Sequence, residues 1–403
     1  MWTTQRPLPR NRAKLQTKEP DAMAALGNQR HLFDIPENVA WFNCAARTPF
    51  LKSVAAAGEK AMAARLNPWT WDGAALEAQS DRVRGLFGEL IGADADAIAI
   101  QPAASYGLAV AARNLPLAAG QSVVVIEDQF PSNVFIWMEK AADVGAHVVT
   151  VPRPTDGDWT AAVLDHVDGN TAIAALPPCH WADGTVLNLE AIGTACRNQG
   201  AALVVDVTQW VGAAPFDVTK VQPDFLVSAA YKWQLCPNGM SFFYAAPDRR
   251  DGRPMEHHDY NHPVTGASIE GSLVYDPAYS KGARRFDVGQ TFDPVKLAMA
   301  EAALKQVAAW TPDATAQTLT PIMARILEIA DDLGFDTPAG SGAAHITSIS
   351  KASPPPPGMI AGLAAKGVHA SLRCGGLRLA PHVYVSDDDI ARLRAALTDA
   401  WPG

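Results

Sequence analysis

Short apolar runs that alternate with helical patterns are the feature that most restricts the fold of this sequence. Runs such as Val123-Val-Val-Ile126 and Ala201-Ala-Leu-Val-Val205 are short and lack the polar alternation of a half-buried strand. Strands of this kind are buried on both faces, which is typical of a parallel sheet covered by helices. The sequence therefore predicts an α/β protein with a mostly parallel sheet.

The pattern extends along most of the chain and indicates two domains. Strands are predicted at 97–101, 122–127, 147–151, 173–176, 201–206, 345–350, 369–373 and 377–381. Helices are predicted at 79–91, 106–113, 135–144, 159–167, 189–199, 294–310, 320–333, 359–366 and 387–400. Thr320 is the predicted N-cap of the helix at 320–333, with Pro321 at its first position. We expect a loose arm at 1–30, a large domain at 31–290 whose first segment can pack on the small domain, and a small α+β domain at 291–403.

Charge, hydropathy and cysteine content argue against several classes of protein. A net charge of −9 with a pI near 5.6 argues against a nucleic-acid partner, because phosphate binding needs clustered Lys and Arg. No apolar run approaches the ~20 residues of a membrane span. Five cysteines without CxxC spacing predict neither a disulfide framework nor a metal site, and they fit the cytoplasm. The first 20 residues are basic, which predicts a loose arm, with a targeting segment as the alternative: Arg6, Arg10, Arg12, Lys14 and Lys18.

A lysine and an aspartate carry the strongest chemical signal. Asp206 ends an apolar strand, and Lys232 follows 26 residues later among the apolar neighbours Tyr231 and Trp233. This arrangement is typical of enzymes that use pyridoxal phosphate (PLP), in which the aspartate pairs with the ring nitrogen and the lysine bonds the aldehyde. A covalent bond also removes the cost of burying a charged amine. The alternatives are a surface lysine and, for Asp206, a helix N-cap.

Three further segments can complete a cofactor site. Gln209 can reach the 3-hydroxyl of the ring. The turn Ala103-Ala-Ser-Tyr-Gly107 lies between a strand and a helix, where backbone N–H groups and the Ser105 hydroxyl can hold a phosphate. Phe130 can stack on the ring, although by itself it is more typical of a core phenylalanine.

Several segments together resemble the class V aminotransferase family, which includes cysteine desulfurases, kynureninase and isopenicillin N epimerase. They are Asp206-x-x-Gln209 with Tyr231-Lys232-Trp233 and Gly239, Glu127-x-x-Phe-Pro-Ser-Asn133, His180-Trp-Ala-Asp-Gly-Thr185, Gly282-Ala-Arg-Arg-Phe-Asp-Val-Gly289 and Leu377-Arg-Leu-Ala-Pro-His382. The resemblance implies PLP fold type I, with a mostly parallel sheet of the seven-stranded type in the large domain and a smaller α+β C-terminal domain. It also implies a homodimer whose active sites lie at the subunit interface.

The resemblance implies roles for individual residues toward the cofactor. Lys232 is the Schiff-base lysine, and Phe130 takes the ring-stacking position. Gln290 stands where many relatives have a threonine that reaches the phosphate of the partner subunit. The complete predicted cofactor-binding set is Asp206, Gln209, Ala104, Ser105, Phe130, Tyr231 and Gln290.

The resemblance also implies a substrate site. Arg378 matches the arginine that binds the substrate carboxylate, for which a bidentate guanidinium is suited, with a surface arginine as the alternative. Asn43, His180 and Trp181 match positions beside the substrate or cofactor, with simple packing as the alternative for each. Cys374 stands near the place of the mobile persulfide cysteine of desulfurases, but its turn is too short to swing.

The predicted function is a PLP-dependent enzyme that acts on a small amino acid or derivative through an aldimine and a quinonoid, of transaminase or lyase type. The alternatives are an epimerase, an activity like cysteine desulfurase or selenocysteine lyase, and a catalytically idle PLP-fold binding protein. The intact set of Lys232, Asp206 and Gln209 argues against the idle protein. An NAD-dependent oxidoreductase would need a GxGxxG turn, and the sequence has none.

Overall fold

A computed structural model of the chain describes residues 25–262, 275 and 277–401. The basic residues from Arg6 to Lys18, and with them most of the predicted arm, lie outside the described residues. The strands are β1 (Ala40–Trp41), β2 (Ile98–Gln101), β3 (Ser122–Ile126), β4 (His147–Val151), β5 (Thr171–Leu176), β6 (Ala202–Asp206), β7 (Phe225–Ala229), β8 (Ser241–Ala245), β9 (Thr347–Ile349), β10 (Val368–His369), β11 (Ser371–Arg373) and β12 (Gly376–Leu379).

The α-helices alternate with the strands in the first part of the chain and dominate the last part. They are α1 (Lys52–Ala64), α2 (Gly73–Ile91), α3 (Ala104–Asn114), α4 (Ser132–Val144), α5 (Trp159–Leu164), α6 (Leu189–Gln199), α7 (Val218–Val221), α8 (Pro294–Trp310), α9 (Pro312–Asp332), α10 (Met359–Ala365) and α11 (Asp387–Ala400). No helix among the described residues is long and apolar enough to cross a membrane.

The largest sheet in the described part of the chain has seven strands in the order β2-β8-β7-β6-β5-β3-β4. β4, β3, β5, β6 and β7 pair in parallel, whereas β8 is antiparallel to both of its neighbours. Successive residues of one strand, such as Val204 and Val205 of β6, belong to different hydrophobic clusters. Each face of the sheet therefore has its own core, as the continuous apolar runs predicted.

The carboxyl ends of the parallel strands meet at one edge of this sheet. Asp206 is the last residue of β6, and the segments after β2, β3 and β5 begin at the same edge. Ligands of open α/β sheets bind outside the carboxyl ends of the strands. This edge therefore determines where the functional side chains come together.

The C-terminal part of the chain, predicted to form a small domain, packs beside this edge. Its antiparallel sheet has the order β11-β12-β9 and is accompanied by α9, α10 and α11. β1 pairs in parallel with β10, so the first described strand packs on the small domain. α8, the first helix of the predicted small domain, packs against α1 and α2 of the predicted large domain.

Most predicted elements are confirmed, but two helix starts are wrong. The helices at 189–199, 294–310 and 387–400 have the predicted bounds, and α2 begins six residues earlier than predicted, after the N-cap Asp72. The helix predicted from Thr320 begins instead at Pro312, with Thr311 as its N-cap, and Pro321 lies inside it. Thr320 caps nothing, because its hydroxyl donates to the carbonyl of Ala316 within the helix (2.9 Å). A proline inside a helix destabilises the helix. Here the residues before and after Pro321 bury one continuous apolar face, which offsets this cost.

Candidate active site

A cavity opens at the carboxyl edge of the seven-stranded sheet. Its walls come from the segments that follow β2, β3, β5 and β6 and from the turn after β7. Seven of the residues predicted from the sequence line it: Ala104, Phe130, Trp181, Asp206, Gln209, Tyr231 and Lys232. Segments that lie far apart in the sequence therefore form one site.

Lys232 provides the amine of this cavity. Its side chain is only 6% exposed, and its Nζ lies 5.5 Å from the ring centroid of Phe130 and 5.8 Å from that of Tyr231. Burial lowers the pKa of Lys232 to about 8, and Arg378 adds to this effect while Asp206 opposes it. A buried amine with a lowered pKa is a nucleophile and a proton carrier near neutral pH. The surface-lysine alternative does not fit this burial.

Asp206 is a buried carboxylate at the end of β6. Its Oδ1 accepts a hydrogen bond from the backbone N–H of Thr208 (3.0 Å), and burial raises its pKa. Among the described residues no cationic side chain lies at ion-pair distance from it, and no helix follows it directly. A buried carboxylate of this kind needs a cationic partner, which a protonated pyridine nitrogen would supply.

Gln209 has an amide whose orientation is fixed by its neighbours. Its Oε1 accepts a hydrogen bond from Nε1 of Trp233 (2.9 Å), and its Nε2 donates to the carbonyl of Ala45 (2.9 Å). Because an indole N–H can only donate, the amide cannot be flipped. One N–H of Nε2 remains for the cavity, and it can donate to an acceptor such as the 3-oxygen of PLP.

The N-terminus of α3 provides a place for an anion. Ala104 is the first residue of this helix and lines the cavity, and Ala103 at the N-cap supplies no side-chain hydrogen bond. α2, α6 and α8, in contrast, carry Asp or Asn caps. An uncapped N-terminus offers free N–H groups and a positive dipole end to a phosphate. Ser105 is exposed at the second position, next to these groups, although it does not line the cavity itself.

Three independent observations indicate that the cavity fits PLP. It combines a buried lysine, a buried carboxylate without a cationic partner and an uncapped helix N-terminus at one cavity. Each group matches one part of PLP, namely the aldehyde, the ring nitrogen and the phosphate. Lys232, Asp206 and Ala104 would therefore hold the cofactor at three points.

Phe130 and Trp181 form an aromatic wall of the cavity. Phe130 is 40% exposed, and its ring meets that of Trp181 edge to face with centroids 5.4 Å apart. A core phenylalanine would be buried, so this exposure favours the predicted stacking role over the packing role. Nε1 of Trp181 donates to the carbonyl of Asp128 (2.7 Å), which holds the wall in place.

Arg378 is a buried guanidinium next to this wall. It is 1% exposed, its Nη1 donates to the carbonyl of Trp181 (2.9 Å), and its Nε is buried without a hydrogen-bond partner. No carboxylate of the described residues lies at ion-pair distance from it, and burial lowers its pKa to about 10, with Arg373 adding to the effect. The surface-arginine alternative is therefore wrong, and the guanidinium can donate hydrogen bonds to the carboxylate of a substrate.

Arg378 does not line the cavity itself, and neither do the other predicted substrate residues His180 and Asn43 or the cofactor residue Gln290. His180 is fully buried, stacks on Trp159 (5.9 Å) and lies 3.2 Å from the carbonyl of Glu127 through its Nε2, which favours the packing role. Asn43 is half-buried beside Ala380, and its Oδ1 has no hydrogen-bond partner. Gln290 is exposed at a φ of +67°.

Two amides of the cavity were missed by the sequence analysis. Gln129 and Asn133 flank Phe130 and line the cavity, and each has one buried atom without a partner, Oε1 and Nδ2 respectively. Nε1 of Trp137 donates to Oδ1 of Asn133 (3.0 Å), so Nδ2 is correctly oriented as a free donor. The sequence could have predicted these two residues, because both lie in the motif around Phe130.

The fold and the site define a PLP-dependent enzyme of fold type I. The chain belongs to the family "Aminotransferase class-V", whose sequence model matches residues 52–262. It is 26% identical over 324 residues to the uncharacterized aminotransferase YcbU of Bacillus subtilis, which covers 77% of this chain and 81% of the relative.

Solved structures share the fold. The complex of the cystine C-S lyase C-DES with its reaction product cysteine persulfide has a TM-score of 0.82 at 19% identity and covers 91% of this chain and 99% of that one. The apo structure of cysteine desulfurase from Thermococcus onnurineus NA1 has a TM-score of 0.81 at 17% identity and covers 94% and 99%. These matches establish the architecture of PLP fold type I for this chain.

Proposed function

We propose that the enzyme acts on the α-carbon of an amino acid, with Arg378 binding the α-carboxylate and Lys232 moving the α-proton. The observation that carries this proposal is the proximity of a buried amine to a buried guanidinium that has no acidic partner among the described residues. Nη1 of Arg378 donates to the carbonyl of Trp181 (2.9 Å), and Trp181 lines the same cavity as Lys232, so one aromatic residue contacts both the guanidinium and the cavity of the amine.

Each residue of the site would have a separate chemical role. PLP, when bound, supplies an electron-withdrawing ring that makes the α-proton of the substrate acidic. Asp206 would keep the ring nitrogen protonated, and one N–H of Gln209 would donate to the 3-oxygen. Nζ of Lys232 would hold the aldehyde of the cofactor and would accept the α-proton of the substrate as a general base. Phe130 and Trp181 shield this step from water.

The reaction that follows is of transaminase or lyase type, and a dedicated desulfurase is disfavoured. Cys374 lies at a φ of +44° in the tight turn between β11 and β12, and burial raises the pKa of its thiol. A persulfide carrier needs a thiolate on a mobile loop, and neither condition is met here.

The test is the removal of Lys232. We expect Lys232→Ala to lose covalently bound PLP, measured as the absence of a pyridoxyl group on the denatured protein after borohydride reduction, and to lose activity by several orders of magnitude. The wild type should release a keto acid from at least one amino acid, and a panel scored separately for keto acid, sulfide, alanine and racemisation identifies the reaction. Lys220→Ala, at an exposed lysine of α7, is the matched control. A wild type that takes up no PLP would contradict the proposal.

We also propose a homodimer in a reducing compartment, the cytoplasm. Met62, Leu66 and Trp69 expose between 59% and 79% of their surface next to α1, which is an unusual cluster for a free surface. Gln290 lies outside the cavity of its own chain, which fits a contribution to the site of a partner subunit. All five cysteines are free, as expected in a reducing environment.

A further inference from the structure

Four contacts from distant parts of the chain hold Gln209 in place. Its side chain bonds to Trp233 and to the carbonyl of Ala45 (both 2.9 Å). Its backbone carbonyl lies 2.6 Å from Nε2 of His345 and accepts from Sγ of Cys179 (3.5 Å). Each of these partners is more than 20 residues away in the sequence. The position of this buried glutamine is therefore determined by other segments.

The carbonyl that accepts from Gln209 belongs to a segment attached to β12. Ala380 directly follows β12, and its N–H donates to the carbonyl of Phe42 (2.7 Å). The N–H of Cys44 donates in turn to the carbonyl of Ala380 (3.2 Å). Ala45 is the next residue along the chain. Its carbonyl is therefore held in place by the end of β12.

The residues after β12 also hold Trp233. The ring of His382 stacks on the indole of Trp233, with centroids 5.6 Å apart and planes 12° apart. His345 meets the same indole edge to face at 4.6 Å, and all three side chains are buried. Because two rings pack against the indole, its N–H stays directed at Oε1 of Gln209.

Arg378 belongs to the same stretch of chain. It lies in β12, two residues before Ala380 and four before His382. The proposed ligand of the substrate carboxylate and the residues that hold Gln209 are therefore joined by one short backbone segment, 378–382. A change in the position of this segment would reach the substrate and Gln209 together.

We propose that His382 and Trp233 are positioning residues, which keep an N–H of Gln209 directed at the 3-oxygen of the cofactor. This inference rests on the proposed contact between Gln209 and that oxygen, and it assigns the control of the contact to the segment that carries Arg378. Neither His382 nor Trp233 lines the cavity, so both act through Gln209.

The orientation of the amide has a measurable effect on the cofactor. An N–H donor stabilises the negatively charged 3-oxygen, whereas the amide oxygen of Gln209 would repel it. The indole N–H of Trp233 prevents the amide from turning, because it needs Oε1 as its acceptor. Loss of this N–H lets the amide turn, which raises the proton affinity of the chromophore that PLP forms with Lys232.

A double-mutant cycle on the PLP-loaded enzyme tests this role. The readout is the midpoint of the pH titration of its visible absorbance. Trp233→Phe keeps a ring between the two histidines but removes the N–H, so we expect the midpoint to rise by about one pH unit or more. Gln209→Leu should raise it as well, and Trp233→Phe should add no further rise in the Gln209→Leu background.

His382 provides a second perturbation, which leaves Trp233 itself unchanged. His382→Ala removes the stacked ring and should raise the midpoint, but only where Gln209 is present. His382→Phe keeps a flat ring on the indole and should leave the midpoint in place. Trp401→Phe is the matched control, because it removes a buried indole N–H that donates to Ser353 (3.3 Å). Cofactor content and circular dichroism establish that each variant is folded and loaded.

The outcomes separate the inference from the proposed function. A wild type that takes up no PLP contradicts the proposed function. An unchanged midpoint in Gln209→Leu would overturn the contact with the 3-oxygen and the inference with it. If Gln209→Leu raises the midpoint but Trp233→Phe and His382→Ala do not, the positioning roles alone are wrong. A further rise in the double variant would also overturn them, because Trp233 would then act on the cofactor by a route other than Gln209.

Discussion

At the scale of single residues, the reactivity of the site depends on the proton affinity of Lys232. Burial and two guanidinium groups lower its pKa to about 8, whereas Asp206 raises it. Only the neutral amine can attack the aldehyde of PLP. At pH 7 roughly one lysine in ten is neutral with this pKa, compared with fewer than about one in a thousand for an ordinary lysine.

This balance predicts the pH dependence of cofactor uptake. With a pKa of about 8, the rate at which apo enzyme bonds PLP should rise with pH up to about 8 and level off above it. A lysine at its ordinary value of 10.5 would give a rate that still rises above pH 9. Stopped-flow absorbance between pH 6 and 10 measures the profile, corrected for free PLP with a simple amine.

Arg378→Gln provides the internal control for this profile. Because the charge of Arg378 lowers the pKa of Lys232, its removal should raise that pKa and move the midpoint to higher pH. Arg113→Gln, at an exposed arginine at the far end of α3, should leave the midpoint in place. A midpoint that does not move in Arg378→Gln would show that burial alone determines the proton affinity of Lys232.

The sequence predicted which residues form the site better than it predicted the contacts that hold them in place. Lys232 and Asp206 could be identified because each lies in a distinctive local segment. The hydrogen bond from Trp233 to Gln209 and the burial of Arg378 behind Trp181 depend on contacts between distant segments. No local pattern encodes such contacts, so these features appear only in the folded chain.

At the scale of elements, α9 shows how a helix start can be misplaced. The pair Thr320-Pro321 has the form of an N-cap followed by proline, but so does Thr311-Pro312 nine residues earlier. The earlier pair begins the helix, with the Thr311 hydroxyl accepting from the N–H of Ala314 (3.2 Å). The residues between the two pairs, including Leu319, are buried, so the tertiary contacts favour the longer helix.

The two threonines therefore predict unequal effects on stability. Thr311→Ala should lower the free energy of unfolding by about 1 kcal/mol, because it removes the N-cap while the Cβ and the backbone stay as they are. Thr320→Ala should change it by less than about 0.5 kcal/mol, because the residue is exposed within the helix. Urea unfolding followed by circular dichroism measures both, and Thr311→Ser should stay near the wild type. Equal effects of the two alanine variants would contradict the assigned helix start.

At the scale of the whole molecule, the sequence predicted the layers but not the junction between the domains. The alternation of apolar runs and helices was sufficient for the parallel sheet, since each strand is marked locally. The pairing of β8 with β2 and that of β1 with β10 are contacts between distant segments, which periodicity does not encode. The junction itself contains two buried histidines, His345 and His382.

These histidines connect the small domain to the active site. His345 lies 2.6 Å from the carbonyl of Gln209 through its Nε2, and His382 stacks on Trp233 (5.6 Å). Each ring has one buried nitrogen without a hydrogen-bond partner among the described residues. Burial lowers the pKa of His345 to about 4 and that of His382 to about 3, so both are neutral at pH 7.

The junction should therefore lose stability in acid. The pKa of His345 is about 4 in the folded protein and 6.5 in the unfolded chain, so between these values the unfolded chain binds more protons. The stabilisation is complete above pH 6.5 and decreases as the pH falls toward 4, by about 2 kcal/mol between pH 7.5 and 5.

His345→Gln retains a donor to Gln209 but does not titrate, so its apparent Tm should fall less than that of the wild type over this range. His147→Gln, at an exposed position of β4, should keep the full decrease, and a His345→Gln variant as acid-sensitive as the wild type would show that this histidine does not control the junction.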